Sequence, residues 1–104
     1  MPGVDFNLVR QRASMTDVLR LLGFHPTSVA GDALRGPCPI HGSTGRQSRS
    51  FSVNLRLGRY QCFRCGSRGN ALELWAAVQR IGVYDAAVGL CEALGMDVPW
   101  IQHW

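Results

Sequence analysis

Apolar and polar positions change their spacing twice along the chain, which divides it into three regions. In the first, Val18, Leu19, Leu21 and Leu22 recur at helical spacing behind Ser14 and Thr16, either of which can N-cap, and Gly23 can stop the helix. A further helical turn is expected over residues 6–10. Pro26 and Gly31 then mark a loop, with a short strand expected at Ala33–Gly36. In the second region the period falls to two. Phe51-Ser52-Val53-Asn54-Leu55 predicts a half-buried strand with Phe51, Val53 and Leu55 on one face and Ser52, Asn54 and Arg56 on the other. Leu57-Gly58 turns the chain, and residues 59–63 return as the partner strand.

The third region is helical again. Asn70 precedes Glu73 by three residues, the spacing of a capping box, and Leu72, Trp75, Ala76 and Ile81 form an apolar stripe that Gly82 can end. A second helix is expected over residues 84–94, closing on Gly95, and the tail from Val98 to Trp104 is expected to fold back on the rest. No repeat of solenoid length and no linker interrupts this order. One α+β domain over residues 1–104 is therefore expected, its motif core at 14–96 and its tail at 97–104. Its short antiparallel β-sheet is flanked by N- and C-terminal helices.

Composition narrows the class. At 104 residues and 46% hydrophobic, the chain has the make-up of a small globular protein, with little core for its surface. It lacks an apolar run near the ~18 residues of a membrane span, and its first residues carry an acid where a secretory signal needs an apolar stretch. A cytoplasmic protein with no membrane partner is expected. The formal charge of +4 conceals a sharper pattern. Residues 33–72 hold seven arginines (35, 46, 49, 56, 59, 64 and 68) and no acid, while residues 73–104 carry Arg80 against Glu73, Asp85, Glu92 and Asp97. A basic stretch without a carboxylate points to a polyanion partner, although a solvated basic surface has the same composition.

The chemistry lies in two short segments that look like versions of one another, Cys38-Pro39-Ile40-His41-Gly42 and Cys62-Phe63-Arg64-Cys65-Gly66. Each offers two ligands separated by two residues, a spacing that lets one tight turn aim both at a single ion, and the following glycine permits the positive φ that such a turn requires. The hairpin from Phe51 to Cys62 can bring the two turns together. Cys38, His41, Cys62 and Cys65 then make the Cys₃His set of a closed tetrahedral Zn2+ site, in a zinc ribbon. Four protein ligands leave no position for an activated water, so the zinc is expected to be structural and the chain to have no catalytic residues. Binding worth about 10–16 kcal/mol rivals the usual ~5–15 kcal/mol margin of a whole domain, which explains how so short a chain can fold. A Cys62–Cys65 disulfide is disfavoured in a reducing compartment, a thioredoxin-like redox pair lacks its flanking pattern, and an iron–sulfur cluster is disfavoured by the histidine. Cys91 falls among Val88, Leu90 and Leu94 and reads as a core thiol. His25 and His103 have no companions and read as loop or surface residues.

From Cys38-Pro39-Ile40-His41, through Phe51-Ser52-Val53 and Tyr60-Gln61-Cys62-Phe63-Arg64-Cys65-Gly66, to Gly69-Asn70-Ala71, the chain resembles the CHC2 zinc-binding domain of bacterial DNA primases. The resemblance covers residues 14–96. It implies zinc on Cys38, His41, Cys62 and Cys65, and contact with single-stranded template along the exposed hairpin face. The approach to the first long strand, Gly45-Arg46-Gln47-Ser48-Arg49-Ser50, is longer than the family's usual one, and residues 42–50 are expected to be mobile. The family's polymerase domain and helicase-binding tail have no counterpart here, so this chain alone is not expected to make primers.

Single-strand binding needs a basic track for phosphates and flat groups for bases. Arg46, Arg49, Arg56, Arg59, Arg64 and Arg68 are candidates for the track, Tyr60 and Phe63 for stacking, and Asn54 for a base edge. Aromatic residues beside a zinc ribbon also serve as core. The expected partner is nucleic acid, single-stranded DNA above all, together with a separate replication or mobile-element protein. Two other readings stand beside this one. One is a protein–protein adaptor with Trp100, Ile101 and Trp104 as its patch, and the other is a fragment of a full-length primase.

Overall fold

The computed structural model describes residues 3–40 and 50–101. Strand β1 (Gly3–Val4) leads into helix α1 (Phe6–Arg12), which starts where the Asp5 carboxylate accepts from the Leu8 N–H at 3.1 Å. Helix α2 (Met15–Leu21) begins at a reciprocal capping box. Ser14 Oγ accepts from the Asp17 N–H at 3.1 Å, and the Asp17 carboxylate accepts from the Ser14 N–H at 3.4 Å. Thr16 lies inside the helix, so Ser14 is the cap. What was expected as one turn at residues 6–10 is a complete short helix.

Five strands follow: β2 (Ser28–Ala30), β3 (Ala33–Gly36), β4 (Phe51–Asn54), β5 (Arg59–Cys62) and β6 (Arg68–Asn70). They form one antiparallel sheet in sequence order. Directly opposed residues share a face, so register sorts the sheet into rows. Leu34, Val53 and Tyr60 are opposed in turn, as are Gly36, Phe51 and Cys62. This inner side is buried, with Phe51 and Cys62 at 0% exposure, Val53 at 1% and Tyr60 at 4%. The outer side carries a polar row running across all five strands, Ser28–Arg35–Ser52–Gln61–Arg68, and beside it the row Ala33–Asn54–Arg59–Asn70.

Helix α3 (Ala71–Gln79) starts at the capping box expected from Asn70 and Glu73, with the Glu73 N–H donating to Asn70 Oδ1 at 2.9 Å. It touches α1, α2, α4, β5 and β6, and buries Ala71, Leu72, Leu74 and Ala76. Such a central helix is apolar over most of its circumference, which is why Leu74 is buried although it lies off the expected stripe. The stripe's last member, Ile81, is instead exposed. The helix ends at Arg80 in the left-handed conformation (φ 58°), and Gly82 is the N-cap of helix α4 (Val83–Ala93) rather than the stop of α3. Ala86, Ala87, Leu90 and Cys91 of α4 are buried. The tail folds back as far as Ile101, as strand β7 (Trp100–Ile101) paired with β1, and the Asp5 N–H donates to the Pro99 carbonyl at 2.8 Å; Trp104 lies outside the described residues. Among the described residues no helix is long and apolar enough to cross a membrane.

Candidate metal centre and nucleic-acid interface

Strands β3 and β5 flank β4 and both run antiparallel to it, so the segments leaving them emerge at the same end of the sheet. That topology brings Cys38, two residues beyond β3, to Cys62, the last residue of β5. The chain then turns tightly. The Gly66 N–H donates to the Cys62 carbonyl at 3.0 Å, the Cys62 N–H to the Ser67 carbonyl at 2.8 Å, and the Cys65 N–H to Cys62 Sγ at 3.4 Å. Gly66 has φ 77°, a conformation that side chains rarely adopt. The Sγ atoms of Cys38, Cys62 and Cys65 all lie within 4.8 Å of one another, the first two buried and the third exposed.

These dimensions fit zinc. Ligands at the usual Zn–S distance of about 2.3 Å sit about 3.8 Å apart in a tetrahedron, so the three sulfurs need only close slightly on an ion. The N–H directed at Cys62 Sγ is the kind of second-shell contact that stabilises thiolate. Among the described residues no disulfide joins the cysteines. His41 lies outside the described residues, directly after Ile40. Cys91 is remote from this centre in its helix, at 0% exposure, and burial pushes its thiol pKa above the ordinary value despite the opposing charge of Arg12.

The residues named for nucleic acid divide into distinct environments. Tyr60 is corrected to a core residue. Its ring stacks on Phe51 with centroids 5.6 Å apart, and its hydroxyl is 2.8 Å from Ser67 Oγ. Burial raises its pKa, outweighing that hydrogen bond, so its ring face is closed to a base. Phe63 is the reverse: it is 60% exposed, and the Arg35 guanidinium lies over its ring at 5.1 Å from the centroid. Its backbone N–H donates to the Ser50 carbonyl at 2.8 Å, which holds it beside the start of β4.

Arg59, Asn54 and Arg68 line a cleft of about 490 Å³ on the outer face of the sheet, together with Ser52, Gln61 and Glu73, and with Tyr60 and Gly69. Asn54 Oδ1 accepts from the Leu57 N–H at 3.0 Å and secures the hairpin turn, so the NH₂ end of the amide is what it can offer a ligand. Arg56 sits on that turn and lines a different hollow, with Arg10, Ser14 and Asn70. Arg64 is exposed on the turn between Cys62 and Cys65. Arg46 and Arg49 lie outside the described residues.

Arg35, Ser52, Gln61 and Glu73 were not among the residues expected at this interface. Arg35 was legible in principle, since alternation in Ala33–Gly36 puts it on the polar side. Its neighbours depend on the register of β3 with β4, which the sequence does not display.

With this geometry in hand, the comparisons with known proteins are specific. The family model of the CHC2 zinc finger matches residues 5–103. The DNA primase of Lactococcus lactis is 31% identical over 99 residues, covering 94% of this chain and 15% of that protein. The DNA primase of Treponema pallidum is 26% identical over 99 residues, again covering 94% of this chain, and 16% of its own length. The chain thus spans about a sixth of these relatives. The crystal structure of the Aquifex aeolicus primase, comprising zinc-binding and RNA polymerase domains, superposes on 92% of this chain and 23% of that one. Its TM-score is 0.71 at 24% identity, a likeness of fold. Three cysteine sulfurs gathered at one end of a five-stranded meander, in a position to hold zinc, and a match over nearly the whole length lead to one conclusion: this chain belongs to the CHC2 zinc finger family of DNA primases.

Proposed function

We propose that this chain is a non-catalytic module that binds single-stranded DNA across the outer face of its sheet, folded around one structural zinc ion. Cys38, His41, Cys62 and Cys65 hold the ion in this reading. Bound there, zinc supplies cross-linking and charge neutralisation of thiolates, and the protein contributes the surface it orders. One observation carries the proposal. The outer rows of the sheet are polar and basic, and they end at an exposed phenylalanine partnered by an arginine. Arg35, Arg59, Arg64 and Arg68 supply phosphate contacts, Phe63 stacks on a base, and the Asn54 amide reaches a base edge. Arg46 and Arg49, outside the described residues, remain candidates from the sequence alone, whereas Arg56 at the hairpin tip is peripheral. Primer synthesis itself, in which such a module would locate template, belongs to a polymerase unit in the same or a separate cytoplasmic polypeptide.

A second reading has its own observation. Trp100 is 46% exposed and Tyr84 39%, with ring centroids 6.3 Å apart, which is an aromatic surface suited to a protein partner. The two are separated by titrating labelled single-stranded and duplex DNA with zinc-loaded protein and reading fluorescence anisotropy at two salt concentrations. Saturable, salt-weakened binding that is poorer for duplex is the expected result. A folded, zinc-replete sample that binds neither DNA at low salt overturns the proposal and leaves the adaptor reading.

A further inference from the structure

We propose that Glu73 makes the outer cleft selective among nucleobases, favouring those with an exocyclic amine over thymine; this rests on the single-strand reading above and extends it. A carboxylate is out of place on a surface for a polyanion, and its seat here is specific. Glu73 projects from the first turn of α3 back over β6, where Gly69 has φ 151° and no side chain. A Cβ at position 69 would stand 2.7 Å from Glu73 Cδ and 2.8 Å from Oε2. The capping box accounts for one oxygen, since Oε1 accepts from the Asn70 N–H at 3.3 Å. The residue also lines the cleft that Arg59 and Arg68 line, and Oε2 is left as a charged acceptor beside it.

The other side chains there are rich in donors. Arg59 and Arg68 only donate, Asn54 has its oxygen engaged by Leu57, and Ser52 and Gln61 accept only as neutral groups, so Glu73 is the charged acceptor of this lining. A strand whose phosphates meet the arginines can turn a base edge toward Glu73. Cytosine, adenine and guanine each carry an amine that donates to a carboxylate in a charge-assisted hydrogen bond. Thymine has a single N–H set between two carbonyl oxygens, both of which the carboxylate repels.

The test measures anisotropy of zinc-loaded protein with deoxycytidine, deoxyadenosine and thymidine homopolymers of equal length at one salt concentration. The Glu73→Gln variant keeps an oxygen for the Asn70 N–H and removes the charge. Wild-type protein is expected to bind the deoxycytidine and deoxyadenosine strands about fivefold or more tighter than the thymidine strand. E73Q should bind all three more tightly, with the preference reduced to less than about twofold. A wild-type protein that binds all three equally, or an E73Q variant that keeps the preference, overturns the assignment while leaving single-strand binding intact. Absence of binding to every homopolymer overturns the single-strand reading, and this one with it.

Discussion

The salt dependence of DNA binding gives the most direct test of which arginines face the phosphates. Arg35, Arg59 and Arg68 lie on the outer sheet rows, and Arg64 is exposed on the adjoining turn. If each neutralises one phosphate, log K falls with log salt at about −0.7 per contact on a single strand, or about −2.8 for the four. A fourfold rise in salt should then weaken binding about 50-fold. Arg59→Ala with Arg68→Ala removes the pair lining the cleft and should flatten the slope to about −1.4, so that the same rise costs only about sevenfold. The assay is anisotropy of a labelled strand at several salt concentrations, with zinc content and far-UV spectrum checked for each variant. Arg20→Ala is the control. Arg20 is exposed on α2 and lines a separate hollow with Leu19 and Phe24, so the slope should stay unchanged. A double variant with the wild-type slope, or flattening by Arg20→Ala of the same size, would refute the assignment of the outer face.

The remaining predictions concern the zinc centre and the core. Cys62→Ser should lose bound zinc and helical signal together, whereas Cys91→Ser should retain one zinc per chain; atomic absorption and circular dichroism read both. Phe51→Ala removes a fully buried ring that stacks on Tyr60 and meets Phe24 edge-on at 5.3 Å, and should cost about 3–5 kcal/mol in a urea melt at fixed zinc. Gly69→Ala should cost about 1–3 kcal/mol through its backbone conformation alone, with a further loss from the clash with Glu73. A double-mutant cycle with Glu73→Ala should recover that second part and leave the first. Because burial raises the Cys91 pKa, native protein should resist alkylation there. Below the ordinary thiol value of 9.0 the proton is held in both folded and unfolded chains. As pH climbs past it the unfolded chain ionises first, so stability should decline until the folded thiol also titrates. Comparing urea midpoints of wild type and Cys91→Ser across that range checks the sign.

Local rules account for what could be read without coordinates. Ser14, Asn70 and Glu73 cap helices through contacts only three residues apart, and the alternation from Phe51 to Asn54 sorts buried from exposed side chains by pleat alone. The paired ligand turns are equally local, which is why both were visible as spacings. The shortest elements were not. Strand β2 has only Val29 and Ala30 as apolar side chains and leaves Val29 62% exposed, while β6 reads Arg-Gly-Asn and is a strand only because β5 offers it a ladder. Strands β1 and β7 are two residues each from opposite ends of the chain, and nothing near either one specifies its partner.

Function divides along the same line. Residue identity and spacing alone name the candidate ligands, the basic middle region and the aromatic candidates. Alternation over residues 59–63 already puts Tyr60 and Phe63 on opposite sides, but does not say which side the helices cover. The inner side of β5 closes over Tyr60, whereas Phe63, just past the strand's end, stands at the outer surface under Arg35. Nor could the sequence set Glu73 beside Arg59 and Arg68, since that requires a helix to start directly from the edge strand and Gly69 to leave room. Side-chain identity and short-range hydrogen bonding are properties of neighbouring residues. Which residues share a surface depends on strand register and helix docking, and only the assembled sheet decides that.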